Sequence, residues 1–171
     1  MERRPLGRTG IRAPVITLGT MTFGLQCDEA TSFAILDRAM EGGVDFLDTA
    51  DVYPLGGGLE RVGTTEEIIG RWMASRGNRE QILLATKCRA PMEAKPNSGG
   101  LSRYHIQHAV EASLRRLGTD VIDLYQTHSY DPHTPIDETL RALDDLVHQG
   151  KVRYIGCSNY PAWRLAEALF T

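Results

Sequence analysis

Short apolar runs alternate along this chain with longer stretches whose apolar residues recur every third or fourth position, and the pairing repeats five times. Val15 to Leu18 predicts a strand. Asp28 then caps a helix over 29–41 with Phe33, Leu36, Ala39 and Met40 on one face, and Gly42-Gly43 stops it. A strand over 44–47 comes next, followed by a helix opened by the capping-box spacing Thr64-x-x-Glu67 and carrying Ile68, Ile69, Trp72 and Met73. The third pair is a strand over 82–86 and, beyond a long loop at 91–100, a helix capped by Ser102 and closed by Gly118. Its inward residues are Ile106, Ala109, Val110, Leu114 and Leu117. A strand over 121–127 precedes a helix begun by Thr134-Pro135-Ile136-Asp137, with Leu140, Leu143, Leu146 and Val147 inward. The fifth strand, 152–156, leads to a helix that Pro161 starts. Ahead of these, residues 3–14 read as a hairpin around Gly7-Arg8-Thr9-Gly10, of the kind that caps one end of a sheet.

Strands alternating with helices predict a parallel sheet with helical crossovers, and their shortness suits a barrel at least as well as an open sheet. A (β/α)8 TIM-type barrel takes eight such units and about 250 residues. With about five units in 171 residues, the chain reads as one α/β domain, 1–171. It is either part of such a barrel with an N-terminal hairpin or an unusual open sheet.

In these folds ligands sit outside the carboxyl ends of the strands, and three predicted strands run into ionisable groups there. Phe46-Leu47 ends on Asp48, with Tyr53 five residues on; Ile82 to Thr86 ends on Lys87; Val121 to Thr127 ends on His128. A carboxylate closing an apolar run costs several kcal/mol unless a cation meets it, and Lys87 is the candidate. A tyrosine is a poor acid at neutral pH, and burial makes it poorer. A lysine cation about 4 Å away, at an effective dielectric near 20, favours the phenolate by on the order of 4 kcal/mol, and that term wins. Asp48 would hold Lys87 charged and aimed. His128 would hydrogen-bond a substrate oxygen beside Tyr53, so that a carbonyl there is polarised and then protonated. Each residue alone has an ordinary reading: a loop cap, an interface aromatic, a snorkelling lysine, a satisfied loop histidine. Their coincidence at successive strand ends favours chemistry.

A net charge of −3 and the lack of a basic stripe exclude nucleic acid as the expected partner. No segment approaches 18 uninterrupted apolar residues and no apolar leader follows Met1, so no membrane association is expected and the cytoplasm is the expected compartment. Cys27, Cys88 and Cys157 are odd in number and far apart, which suggests neither a disulfide framework nor zinc. No G-x-G-x-x-G follows the first strand and no P-loop occurs. The loop from Gly19 to Gly24 has glycines that let backbone approach a ligand. His105 and His108, three apart on a helix, lack a third ligand; they read as a solvated face, and no metal site is expected.

Four stretches carry a further signal. They are Phe46 to Tyr53, Thr86-Lys87, the segment from Ser113-Leu114-Arg115-Arg116-Leu117-Gly118 to His128, and Gly150-Lys151-Val152-Arg153-Tyr154-Ile155-Gly156-Cys157-Ser158-Asn159. Together they closely resemble the aldo-keto reductases over essentially the whole chain. The resemblance implies a (β/α)8 barrel that binds NADPH, with NADH also possible, and that interconverts small-molecule carbonyls and alcohols by hydride transfer. It implies that Asp48, Tyr53, Lys87 and His128 are the catalytic tetrad, with Tyr53 as the acid–base. Gly19, Thr20 and Met21 match the cofactor-side loop after the first strand, Asp48 joins the cofactor contacts, and Ser158 and Asn159 match the pair that hydrogen-bonds the nicotinamide carboxamide. In that family the groups that stack on the nicotinamide and hold the pyrophosphate, adenine and 2′-phosphate come from the last three units, outside these 171 residues.

Other readings compete. A Schiff-base aldolase would use Lys87 as its nucleophile, yet Asp48 beside it keeps the amine protonated. A catalytically inactive fragment, or a regulatory, partner-binding subunit of the same fold, is the non-enzyme alternative; the intact set of four argues against pure scaffolding. Unpaired edges of an incomplete barrel would also invite self-association.

Overall fold

A computed structural model describes all 171 residues. Strands β1 (Arg3–Pro5) and β2 (Arg12–Pro14) form an antiparallel hairpin. Five strands then form one parallel sheet in sequence order: β3 (Leu18–Gly19), β4 (Phe46–Asp48), β5 (Leu83–Cys88), β6 (Ile122–Thr127) and β7 (Val152–Cys157). Helices α1 (Glu29–Glu41), α2 (Thr64–Arg76), α3 (Arg103–Leu117) and α4 (Ile136–His148) make the crossovers, and α5 (Ala162–Phe170) follows β7. This is a partial (β/α) barrel, open between β3 and β7.

The two-residue period of a strand sorts side chains onto two faces. Leu47, Leu84, Cys88 and Tyr125 join Leu36, Ile69, Trp72, Ile106, Leu117 and Leu143 in the main core, between the sheet and its helices. Phe46 and Ala85 lie on the other, inner face, in a small cluster with Ala13 against which the hairpin residues Leu6 and Ile11 pack. The hairpin thus caps the inner face at the strands' amino ends, as its sequence suggested. Where α2 crosses α3 the contact needs a glycine: a Cβ on Gly70 would stand 2.4 Å from the Arg116 carbonyl oxygen.

Caps and boundaries follow hydrogen bonds that the sequence pattern only partly reveals. Asp28 and Ser102 accept from the amides of Thr31 and His105, as expected. Thr64 does not cap α2; Gly63, at φ 87°, holds the cap position and Thr64 is the first helical residue. Thr134 likewise does not cap α4, because its hydroxyl donates to Asp131 Oδ2 at 2.8 Å and Pro135 takes the cap. The run Val15 to Leu18 is mostly not strand. The Val15 amide bonds Glu2 of the hairpin at 3.0 Å, so the chain reaches the sheet only at Leu18, opposite Leu47.

The open side of the sheet leaves Val15, Ile16, Ile155, Leu165 and Leu169 exposed, with Phe170 92% exposed. Apolar patches beside unpaired strand edges promote association. The 171-residue chain produced alone is therefore expected to elute from size-exclusion columns as oligomer or aggregate, and Ile155→Lys with Leu169→Lys should shift it toward monomer. A sharp monomer peak for the unsubstituted chain, indifferent to both changes, would show that these edges are already blunted.

Candidate active site

The register that pairs Asp48 with Ala85 and Lys87 with Gln126 brings the carboxyl ends of β4, β5 and β6 together. Asp48 lies two residues past Phe46, Lys87 two past Ala85 and Gln126 two past Leu124, so all three share the inner face. Lys87 Nζ donates to Asp48 Oδ2 at 2.7 Å and to the Thr49 carbonyl at 2.8 Å. Gln126 Nε2 donates to the other Asp48 oxygen at 3.1 Å. The Lys87 side chain is only 6% exposed and that of Asp48 is 32% exposed. The cation is sealed in while its counter-ion reaches the open side. The Asp48 carbonyl is held by the amide and hydroxyl of Thr20, at 3.1 and 3.0 Å.

Tyr53 lies at the mouth of the same face, buried and clamped by its main chain: its amide donates to Ala50, and its carbonyl accepts from Thr65. Lys87 Nζ stands 5.1 Å from the centre of the phenol ring, and the His128 ring meets that ring edge-on at 5.5 Å. The His128 amide donates to Cys88 at 2.9 Å, which fixes it past the end of β6. Burial first, then the Lys87 cation, hold the His128 imidazole below its ordinary pKa, with Arg89 adding to this and Asp48 opposing it. At neutral pH it is an uncharged hydrogen-bonding group beside the phenol.

The remaining predicted residues line the two edge strands. Gly19 pairs with Asp48, Thr20 is fully buried, and Met21 is exposed. Packing alone constrains Gly24: at φ 89°, a Cβ there would meet Thr64 Cγ2 at 2.7 Å. Across the sheet, the Ser158 amide donates to Thr127 at 2.8 Å. Asn159, in the left-handed region at φ 55°, donates from Nδ2 to the His128 carbonyl and to Ser158 Oγ, at 2.8 and 3.0 Å. Ser158 and Asn159 are thereby tied to the same strand end as His128. His105 departs from its expected solvated face. It is buried against α3's neighbours, with burial lowering its pKa, while His108 stays exposed and rests on Tyr104.

Residues 15–170 match the Aldo/keto reductase family. The chain is 47% identical over 174 residues to the uncharacterized oxidoreductase YrpG of Bacillus subtilis, covering 98% of this chain and 52% of that protein. It is 40% identical over 171 residues to norsolorinic acid reductase A of Aspergillus parasiticus, covering 92% and 42%. It is 35% identical over 192 residues to protein tas of Escherichia coli, covering 99% and 55%. The chain spans about half the length of the curated relatives it matches.

Behind the inner face lies a polar layer absent from the sequence reading. Glu66 is fully buried, accepting from Thr86 Oγ1 at 2.6 Å and from Arg116 Nε at 2.7 Å. Asp51 is fully buried too; its amide donates to the Lys87 carbonyl at 3.0 Å, and neither carboxyl oxygen completes a hydrogen bond. Burial raises its pKa well above the ordinary value and the Glu66 charge adds to this, against Arg116, the Val52 amide and Lys87. The folded chain therefore keeps a proton that the unfolded chain releases above the ordinary aspartate value of 3.8. Stability contributed here falls as pH rises from that value toward the folded one. Asp51→Asn, which carries no proton to lose, should gain stability over the parent as pH rises from 4 to 8, with no gain at the acid end. Urea unfolding across that range, in a chain completed to eight units, checks this; a constant difference would mean that Asp51 is ionised throughout.

Proposed function

The chain belongs to the aldo/keto reductase family, and from that premise we propose that its protein interconverts aldehydes or ketones and alcohols, with Tyr53 as general acid and base. The observation that carries this is the Lys87 ammonium, held between Asp48 and Thr49 beneath the Tyr53 ring with an uncharged His128 at the ring's edge. A carbonyl oxygen lodged between the phenol and the imidazole accepts a hydrogen bond from each. Tyr53 gives its proton to that oxygen as the carbonyl carbon gains a hydride. The Lys87 cation stabilises the phenolate left behind, Asp48 keeps Lys87 charged, and the reverse sequence serves alcohol oxidation. The same two acceptors make Lys87 a poor nucleophile, which disfavours the aldolase reading.

NADPH, or NADH in its place, supplies that hydride when bound. The donor set beside His128 suits a carboxamide. Asn159 commits its amide nitrogen to His128 and Ser158, so its Oδ1 and the Ser158 hydroxyl proton remain for an incoming N–H and carbonyl. Gly19, Thr20 and Met21, at the opposite edge strand, and Asp48 would join the residues that hold the cofactor. Tight cofactor binding, the carbonyl substrate and a cytoplasmic setting belong to a protein of the relatives' full length. No helix of the chain is long and apolar enough to cross a membrane.

In a chain completed to eight units, Tyr53→Phe should abolish carbonyl reduction while NADPH binding survives, since a positioned acid contributes roughly 10²–10⁴-fold. Activity within about tenfold of the parent would remove Tyr53 from the role. Lys87→Met should be comparably severe, because it deletes the cation and leaves Asp48 without its ion-pair partner. A surviving rate with an unshifted pH profile would contradict the electrostatic account. Fluorescence titration of the 171-residue chain itself should show weak or no NADPH binding, and micromolar affinity would show that five units suffice.

A further inference from the structure

Gln126 is a polar residue on the inner face of β6, directly opposite Lys87 in the β5–β6 register. Its Nε2 donates to Asp48 Oδ1 at 3.1 Å while Lys87 Nζ donates to Oδ2 at 2.7 Å. A carboxylate only accepts, so the nitrogen of the Gln126 amide is the atom that faces it. These are the two side-chain donors to the Asp48 carboxylate, one from β5 and one from β6, the next strand beyond it. The Asp48 side chain is a third exposed, and the torsion that turns its carboxylate is broad and roughly two-fold. Packing alone leaves that plane free; the two donors at opposite oxygens fix it. Lys87's only other acceptor is the Thr49 carbonyl, which is main chain and already in place. The direction of the ammonium beneath the Tyr53 ring therefore depends on where Asp48 Oδ2 is held.

We propose that Gln126 is a positioning residue for the reaction: by fixing the Asp48 carboxylate it keeps the Lys87 ammonium aimed at Tyr53. This rests on the reading of Tyr53 as the acid and base. Gln126 touches neither the phenol nor His128 by any hydrogen bond, so its effect passes through Asp48.

The test is steady-state kinetics across pH in a chain completed to eight units. Gln126→Leu removes the donor and should lower kcat about tenfold while KM for the carbonyl substrate stays within about twofold, since an aimed cation acts in the transition state. Gln126→Glu gives a sharper readout. Two carboxyl groups at hydrogen-bond distance share one proton when the pH is low and repel when both ionise. Its kcat should approach the parent's at the acid end and fall below that of Gln126→Leu as pH rises. A residue that merely fills space does not produce that crossing. The proposal is overturned by a Gln126→Leu kcat within about twofold of the parent, or by a Gln126→Glu profile parallel to the parent's. Tyr53→Phe in the same chain separates the two ways of failing. If it stays active, the reading of the site is wrong; if it is inactive while the Gln126 variants behave like the parent, only this inference is wrong. Should Gln126→Leu fail to fold by circular dichroism, the pH profile of Gln126→Glu decides alone.

Discussion

A lysine ammonium almost sealed from water is the demand around which the middle of this sheet is arranged. Left unpaired, such a charge costs several kcal/mol, and only close, well-directed acceptors offset that. Asp48 and the Thr49 carbonyl supply them. Both come from the end of β4, so the pair forms only if β4 and β5 are parallel neighbours with Asp48 opposite Ala85. Sliding β5 by one residue would turn Lys87 onto the helix-packed face and Thr86 inward. Strand register and ion pairing are one constraint here.

That constraint extends through the strand to the other side. Thr86, next to Lys87, points to the helices and donates to Glu66 of α2, which also takes the Arg116 guanidinium of α3. Arg116 in turn lies against the glycine that opens α2, and its carbonyl against Gly70. The inner face thus pairs one cation with one carboxylate, and the outer layer does the same, with Asp51 as a third acid whose pKa burial raises. Burial likewise pushes up the Cys88 thiol and the Tyr125 phenol, with the Asp51 and Glu66 carboxyls adding to it. Two helices and two strands are locked together by groups whose charges cancel within each layer.

Asp48, Lys87 and His128 were legible because each ends an apolar run, and a run's end is visible without knowing any pairing. Gln126 carries the same meaning but sits inside its run. Its position two residues before His128 places it on the inner face, yet that signal speaks only once β5 and β6 are known to be neighbours. Asp51 and Glu66 were harder still, since a loop aspartate and a first-turn helix glutamate ordinarily face water. The errors at Val15, Thr64 and Thr134 share a cause. In each case the local pattern lost to a contact that it does not encode: the Glu2 carbonyl takes the Val15 amide, a left-handed Gly63 holds the α2 cap, and Asp131 takes the Thr134 hydroxyl.

The position of the site within the sheet separates its two tasks. Asp48, Lys87 and Gln126 lie on β4, β5 and β6, each with a hydrogen-bonded neighbour on both sides, and Tyr53 and His128 are anchored to those same strand ends. Gly19, Thr20, Met21, Ser158 and Asn159 lie on or beside β3 and β7, the edges, where backbone hydrogen bonds are fewest and local opening costs least. Of these five, Thr20 and the Ser158–Asn159 pair are tied back to the centre, to Asp48, Thr127 and His128. The hydrogen bonds among Asp48, Lys87 and Gln126 are thus made wholly within the five units described. Under the proposed function, the groups that would face a cofactor gain their stiffness from the centre on one side only.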